Sequence, residues 1–489
     1  MASIIENLAA SGGTESPGFL NDLVTQLWPN ICVAGGRMIK EIAEPMFAAM
    51  LPAPLNTLRF EKIDLGRVPI RFANVDVHRT ENDGIKLDLD LDWDGECDIE
   101  LKANMIPKLG VEHVKLRGRL SVLLCPLTNV IPLIGAAQVS FINAPSLHLD
   151  FTDAGGFGDL ALVDRAVRKI ALGIISSLAV LPNRFLVKLD ANNDYFKTYQ
   201  HPLGVLRLTV ESGANLGGGG VGGEEEESKT RRLFKRMLRD VPDCFVTVKV
   251  SAEAAGKWRT ATVKNNHHPA WNQTHDFVVG DDEQDVMADV KDDDLAGDDD
   301  VGLAVTTVKQ LLAAPGRRQE LALLHEEQPI GATLTLSGRF FRFVPDAASL
   351  LGDGIGDGDG ESIRGLLTVV IASAFGIPGA RQTLKPSVRV SWGEAHLFRT
   401  AVKTDAPGAD VANSSFDQAF RVPIAGDGIA GAPPVRIALF DGEEERGAVE
   451  VSLEDVLAAP DLVLKDSFDV GDGATVRAGI WLRGTQLDE

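Results

Sequence analysis

Ile85-Lys86-Leu87-Asp88-Leu89-Asp90-Leu91-Asp92-Trp93 alternates apolar and charged side chains without a break. In an extended strand successive side chains point to opposite faces, so one face of this segment is wholly apolar and the other wholly charged. The apolar face needs a cover, and Asp88, Asp90 and Asp92 are expected to face water. The same pattern returns less cleanly at residues 98–102, 114–117, 146–151 and 185–190. Several one-sided antiparallel strands predict a curved sheet around an apolar interior. That interior holds either packed side chains and flanking helices or a lipid, and the choice decides the function.

Composition narrows the classes. At 489 residues the chain has room for about three domains. A formal charge of −22 disfavours a nucleic-acid partner, because phosphate binding needs a basic footprint. It also disfavours attraction of the whole molecule to an anionic bilayer, so membrane contact has to be local. Cys32, Cys97, Cys125 and Cys244 are scattered without zinc spacing and read as reduced, half-buried residues suited to the cytosol. Residues 1–18 lack the cationic and apolar regions of a signal peptide, and no run of about 18 apolar residues occurs.

Leu20, Leu23, Val24, Leu27 and Trp28 recur at three- and four-residue spacing, which predicts a helix from Pro17 to about Met50, interrupted at Pro29. Strands are expected from about Leu58 to Phe151, a loop at Gly155–Gly158, a second long helix over Leu160–Ala179 and a last strand after Pro182. The stretch Phe19–Pro29 resembles the opening helix of the SMP domain of extended synaptotagmins and tricalbins. Gly95-Glu96-Cys97-Asp98-Ile99 stands where that family has a Gly-Asp-Cys-type turn. Gly118-Arg119-Leu120, Leu124-Cys125-Pro126-Leu127 and Leu181-Pro182-Asn183-Arg184 follow in the family's order.

The resemblance implies an α+β fold: a TULIP-like tube of curved antiparallel sheet and long helices that dimerises and carries glycerophospholipid in an open-sided groove. It also implies a place on the cytosolic face of membranes, at endoplasmic reticulum–plasma membrane contact sites. Family members usually carry a membrane hairpin before this domain; the expectation here is a fragment or recruitment by other means.

Further on, Gly204 and the alternating strand after it resemble the start of many C2 domains. Asp243-Cys244-Phe245-Val246 resembles their Asp-Pro-Tyr-Val strand, and Asn265–Asn272 their Asn…Pro-x-Trp-Asn turn. A weaker C2-like start stands at Gly365–Ile371, with Val388–Trp392 and Arg436–Asp441 as later strands. Both units read as all-β sandwiches. Gly352–Gly360 is a linker by composition, without the turn glycine of an EF-hand loop. The expected division is an SMP domain at 17–199, a first C2 domain at 202–345 with an insertion at 217–240, a linker at 346–363 and a degenerate C2-like domain at 364–489.

Asp292–Asp300 is the best metal candidate, because calcium takes six to eight oxygens and six aspartates in nine residues repel one another unless screened. By resemblance Asp292 and Asp294 fill the Asp-x-Asp positions of a C2 third loop. Asp299, with Asp298 as a neighbour, fits the late aspartate and Asp243 the first-loop one, which together imply Ca2+. The plainer reading is a solvated acidic loop. Lys385 stands about where the second unit's first-loop aspartate belongs, so no calcium is expected there, and that unit reads as structural or protein-binding.

Within the insertion, Glu224–Glu227 is acidic and Thr230–Arg239 basic and amphipathic. On a helix, Leu233, Phe234, Met237 and Leu238 share a face flanked by Arg231, Arg232, Lys235, Arg236 and Arg239. Such a helix lies on an anionic membrane surface, or packs on its own domain. The Gly217…Gly219…Gly222 spacing opens onto glutamates rather than a βαβ unit, which disfavours a dinucleotide. No P-loop, HExxH or GxSxG occurs.

If the first domain is a conduit, its expected lining is Ile85, Leu87, Leu89, Leu91, Ile99, Leu101, Val122, Val139 and Phe141, with Val167, Ile170 and Ile174 from the helix. Trp93 is expected at the mouth or in a dimer interface. Each acyl methylene buried there is worth about 0.8 kcal/mol, so unspecific apolar contact suffices. The reading is non-enzymatic transfer of glycerophospholipid between membranes, with calcium-regulated docking by the first C2 domain. The alternative is a tether dimerised through the SMP domain without lipid flux; a lipid-modifying enzyme is the weakest option.

Overall fold

A computed structural model describes residues 17–51, 53, 55–80, 84–104, 106–152, 160–191, 193–217, 241–251, 256–293, 298–351, 362–406, 408–426 and 428–488. Two compact units emerge, Met1–Asn193 with Ser251–Glu253, and Asp194–Val250 with Ala254–Glu489.

In the first unit β1 (Arg59–Asp64), β2 (Arg71–Arg79), β3 (Ile85–Ala103), β4 (Ile106–Leu124), β5 (Ala136–Phe141), β6 (Ser146–Thr152) and β7 (Phe185–Lys188) make one antiparallel sheet. The alternating segment lies in β3. Both β3 and β4 run 19 residues, about 60 Å at the usual rise, and so outlast their neighbours. Strand β3 pairs with β2 over Ile85–Asp92 and with β1 over Asp98–Lys102. Strand β4 pairs with β6 over Gly110–Arg117 and with β5 over Leu120–Leu124. The register joins Ile85 to Leu124 at one end of this long hairpin and Ala103 to Ile106 at the other.

The turn that the resemblance implies at Gly95–Ile99 is instead a bulge within β3, where the register against β4 shifts between Glu96 and Ile99. A Cβ on Gly95 would lie 2.4 Å from Trp93 Nε1, so glycine lets the indole lie against the strand.

Helices α1 (Gly18–Met50) and α2 (Leu160–Ala179) pack on the apolar face. No interruption occurs at Pro29: α1 runs through both Pro29 and Pro45. A proline inside a helix costs about 3 kcal/mol, and the anchoring of Trp28 beside it offsets this. The Trp28 ring meets Trp93 edge-on at 5.7 Å, and its Nε1 donates to the Gly66 carbonyl at 3.1 Å. Trp93 is therefore core, 8% exposed with Nε1 donating to Val68 O at 3.0 Å, rather than at a mouth or interface. Leu23 and Leu27 stay exposed.

The charged face also departs from expectation. Asp88 is 2% exposed, with Lys86 Nζ at 3.0 Å and His78 Nε2 at 3.5 Å from its Oδ2. Arg119 donates to Asp90 at 3.0 Å and to Asp76 at 2.8 Å, and Arg117 donates to Asp92 at 3.0 Å. The alternation thus supplies cross-strand ion pairs as well as solvation. Each partly exposed pair is worth about 1 kcal/mol or less.

In the second unit the first sandwich comprises β8 (Gly204–Ala214), β9 (Cys244–Lys249), β10 (Lys257–Arg259), β11 (Ala270–Val279), β12 (Asp285–Asp292), β13 (Asp299–Thr307), β14 (Arg318–His325) and β15 (Gln328–Val344). The second comprises β16 (Ile363–Phe375), β17 (Pro386–Trp392), β18 (His396–Arg399), β19 (Ser414–Ala425), β20 (Val435–Asp441), β21 (Glu444–Val451), β22 (Val463–Gly471) and β23 (Ala474–Leu487). Each sandwich has its own apolar core. Strand β15 pairs with β23 over Phe341–Val344 and β23 pairs with β16, so one twelve-stranded sheet runs through both. The segment before β8 packs on the second sandwich: Phe196 meets Trp481 edge-on at 5.8 Å and Asp194 lies 3.3 Å from Arg477.

All four cysteines are free; Cys32 is half-buried and the other three are buried. Among the described residues, no helix is long and apolar enough to cross a membrane. Gly155–Gly158 and the Gly352–Gly360 stretch lie outside the described residues.

Candidate functional site

Cross-strand partners share a face, so the registers Leu87↔Val122, Val122↔Val139 and Leu120↔Phe141 place the expected lining on one side of the sheet. The degree of cover varies along it. Leu101, Val167 and Ile170 are buried in one core with Phe47 and Phe60, and Ile99 and Ile174 pack against it. Leu91 and Phe141 are buried in a second core with Trp28 and Trp93. Leu89 is buried as well.

Ile85, Leu87, Val122 and Val139 behave differently. They are only half-buried and belong to neither core. Side-chain packing thus fills the interior in the middle and towards Ala103, while the end at Ile85 and Leu124 leaves an apolar face partly uncovered. Leu120, Leu124 and Phe185 are half-buried on the same face. Sequence reasoning missed these three; their cross-strand registers with Leu89, Ile85 and Val139 are the signal that finds them. An apolar face half-open to water at one end of a sheet can take an acyl chain without displacing a packed core.

The second candidate is the acidic edge of the first sandwich. Asp292 ends β12, pairs in register with Asp299 at the start of β13, and pairs on its other side with Cys244 at the start of β9, next to Asp243. Asp243, Asp292 and Asp299 therefore meet at one edge. Asp292 Oδ1 accepts the backbone N–H of Asp243 at 2.7 Å, and Asp243 Oδ1 accepts that of Asn265 at 2.7 Å. The field there is negative: burial pushes the Cys244 thiol up to about 12, and the Asp292 and Asp243 carboxylates add to the effect.

Two aspartates of the run are matched by protein cations. Asp293 Oδ2 accepts from Arg259 at 3.2 Å and from Thr262 at 2.8 Å, and Lys291 Nζ lies 2.9 Å from Asp300. Asp298 is exposed. Among the described residues, no three acidic, cysteine or histidine side chains gather closely enough to hold one ion. The described carboxylates alone do not complete a calcium site; Asp294 lies outside the described residues. So do Arg231, Arg232, Phe234, Lys235, Arg236 and Arg239. The chain on either side of them comes together, since a Cβ on Gly217 would lie 2.9 Å from Pro242, the residue before Asp243.

The second sandwich repeats this edge with a lysine in one acidic position and its carboxylates paired to arginines. Lys385 donates its backbone N–H to Asp441 Oδ1 at 2.8 Å, as Asp243 does to Asp292, and Gly442 donates to Lys385 O at 2.9 Å, as Asp293 does to Asp243 O. Lys385 thus occupies the position of Asp243. Arg446 donates to Asp441 Oδ2 at 2.8 Å. Burial raises the Asp441 pKa, but the Lys385 N–H and Arg446 outweigh it and hold the carboxyl below its usual range. Glu443 is similarly held low by hydrogen bonds from Arg399 and Arg389.

A model of the Synaptotagmin-like mitochondrial-lipid-binding domain matches residues 13–190, and a C2 domain model matches residues 204–323. Extended synaptotagmin-2 of Mus musculus is 25% identical, over 97% of this chain and 55% of the relative. Extended synaptotagmin-3 of Xenopus tropicalis is 29% identical, over 59% of this chain and 31% of the relative. The chain therefore spans about half the length, or less, of these curated relatives. The solved SMP–C2A–C2B part of Extended-Synaptotagmin 2 shares the fold, with a TM-score of 0.65 at 23% identity over 97% of this chain and 100% of that one. The α+β tube and paired sandwiches read from the sequence agree with that fold, and the chain belongs to the extended synaptotagmin family, with an SMP-type lipid-binding domain ahead of its C2 domains.

Proposed function

We propose that this chain binds glycerophospholipid in its first unit and transfers it between apposed membranes without catalysing a reaction. The supporting observation is the half-open apolar face at Ile85, Leu87, Val122 and Val139, which belongs to neither packed core. Leu89, Leu91, Ile99, Leu101, Phe141, Val167, Ile170 and Ile174 act mainly as the packed wall behind it. Transfer then needs an exchange route and apolar contact, with no bond made or broken.

The proposal keeps the division at 17–199, 202–345, 346–363 and 364–489, dimerisation through the first domain, and a place at the cytosolic face of membrane contact sites. Docking to anionic membrane falls to the first sandwich, through the acidic edge and the basic segment 231–239 that precedes Asp243 in sequence. Calcium acts there if Asp294 joins Asp243, Asp292 and Asp299, since carboxylate oxygens are what that ion takes. The second sandwich, with Lys385 and Arg446 at the same edge, does not bind it.

Native mass spectrometry of the purified full chain tests the lipid reading. Co-purified glycerophospholipid is expected, about one or more per first unit. An empty, well-folded chain would leave a tether and remove the conduit.

A further inference from the structure

We infer that the loop between β4 and β5, from Leu127 to Leu133, is a finger that enters a phospholipid bilayer at the open end of the groove; this rests on the lipid-transfer reading above. The tip is apolar and in water. Val130 is 69% exposed, Ile131 88% and Leu133 54%, and Leu127 at the base is exposed too. Residues 120–147 carry no charged side chain, so no charge in the finger opposes entry into hydrocarbon, and Asn129 is its exposed polar amide.

The finger is also built. Gly135 donates its N–H to Pro126 O at 2.8 Å, and Leu127 bridges to Ile134. Thr128 donates its N–H to Leu133 O at 2.8 Å and its hydroxyl to Val130 O at 2.9 Å. Leu133 takes φ +74°, a region leucine seldom occupies. Aliphatic side chains held outward on an ordered turn gain nothing from folding, which points to a use outside the unit.

Its place agrees. Leu124 pairs with Ile85, so the finger leaves the sheet at the end where Ile85, Leu87 and Val122 are half-open. Lys188 pairs with Ala136 at its base, and Arg79 pairs with Ile85 at the same end. The base carries both signs, since Asp190 donates its N–H to Gly135 O at 3.0 Å close to Lys188, so the apolar tip rather than charge favours the bilayer. A second copy of the chain fits less well, because a few aliphatic side chains fall short of the roughly 800 Å² per partner in a stable interface.

The test places an environment-sensitive fluorophore on Ile131→Cys, in a Cys32→Ser background of the full chain, with phosphatidylcholine/phosphatidylserine vesicles. The expected result is a blue shift with at least a twofold rise in emission, quenched by lipids brominated along their acyl chains. No vesicle-induced shift would overturn the finger, and so would a shift that follows protein concentration without vesicles. Separately, Ile131→Asp/Leu133→Asp alters only exposed positions and should leave Tm unchanged. It is expected to keep co-purified lipid while slowing vesicle-to-vesicle transfer at least tenfold; unchanged transfer would overturn the finger while leaving the groove intact. Absence of lipid from the unaltered chain would instead overturn the groove reading beneath it.

Discussion

Arg207 and Asp276 form a buried, two-pronged ion pair, Nε to Oδ1 at 2.8 Å and Nη2 to Oδ2 at 2.9 Å. Asp276 Oδ2 also accepts the backbone N–H of Ile363 at 2.8 Å, and the guanidinium lies 4.7 Å over the Phe341 ring. One carboxylate thus links β8 and β11 of the first sandwich to β16 of the second. Removing one partner strands a buried charge, which costs about 3–5 kcal/mol. Arg207→Ala is expected to lower the urea unfolding free energy of the full chain by that amount, and Arg207→Met/Asp276→Leu to recover most of it. A loss under about 1 kcal/mol for Arg207→Ala would show that the pair is not holding the junction.

His201 makes the second unit acid-sensitive. Tyr199 and Trp481 cover its ring at 4.8 and 5.3 Å, and its Nδ1 is buried with no partner among the described residues. Burial, with Arg483, Lys465 and Arg421 adding, pulls its pKa down to about 3. Unfolded histidine titrates near 6.5, so as pH falls the unfolded chain takes up the proton first. The stability of this site is whole above about pH 7 and is lost progressively from about 6.5 towards about 3. Between pH 7 and pH 5 the loss is about 2 kcal/mol. His201→Phe should lose less stability over that range than the unaltered chain in thermal unfolding; equal losses would clear His201.

The half-open end of the interior separates two kinds of substitution. Leu87→Trp with Val122→Trp fills uncovered space and is expected to exclude lipid at little cost in stability. Leu101→Trp enters a packed core beside Phe47 and Phe60 and should destabilise by about 1–3 kcal/mol through overpacking. Urea unfolding and lipid content read the two effects apart. Similar stability losses for both would mean that the Leu87 end is packed as tightly as the rest.

Calcium can be tested by calorimetry on the full chain. Heat of binding is expected from the first sandwich alone, weakened at least tenfold by Asp292→Asn, which keeps an oxygen for the Asp243 N–H. Asp294→Asn should weaken it as much. Binding that survives both variants would move the site elsewhere, and binding lost with Asp441→Asn would place it in the second sandwich, against the charge of Lys385 and Arg446.

Much of this was legible in the sequence because period-two alternation reports directly which side chains share a face. Ile85–Trp93 specified a one-sided strand, and β3 contains it. The helix spacing of Leu20 to Trp28 was equally plain, but Pro29 misled, since a local rule cannot see Trp28 held by Trp93 and Gly66 across the fold. The turn implied by resemblance at Gly95–Ile99 gives way for the same reason: a Trp93 ring lies where a Cβ on Gly95 would be, within a continuous strand. Asp88 was expected in water, and its burial beside Lys86 depends on tertiary packing that alternation does not encode. Among the lining residues the sequence could name the apolar face but not where its cover stops, so Ile85 and Leu101 looked alike. The acidic run located the edge of the first sandwich; that Arg259 and Lys291 match two of its aspartates came only from the fold.

The most direct test of the account is transfer of a fluorescent phospholipid between two vesicle populations, comparing the unaltered full chain with Leu87→Trp/Val122→Trp. The account predicts rapid transfer by the unaltered chain and at least a tenfold loss in the variant, with vesicle binding and stability unchanged. Equal transfer by both, or none by an unaltered chain that binds both vesicles, would contradict it and leave the molecule a tether.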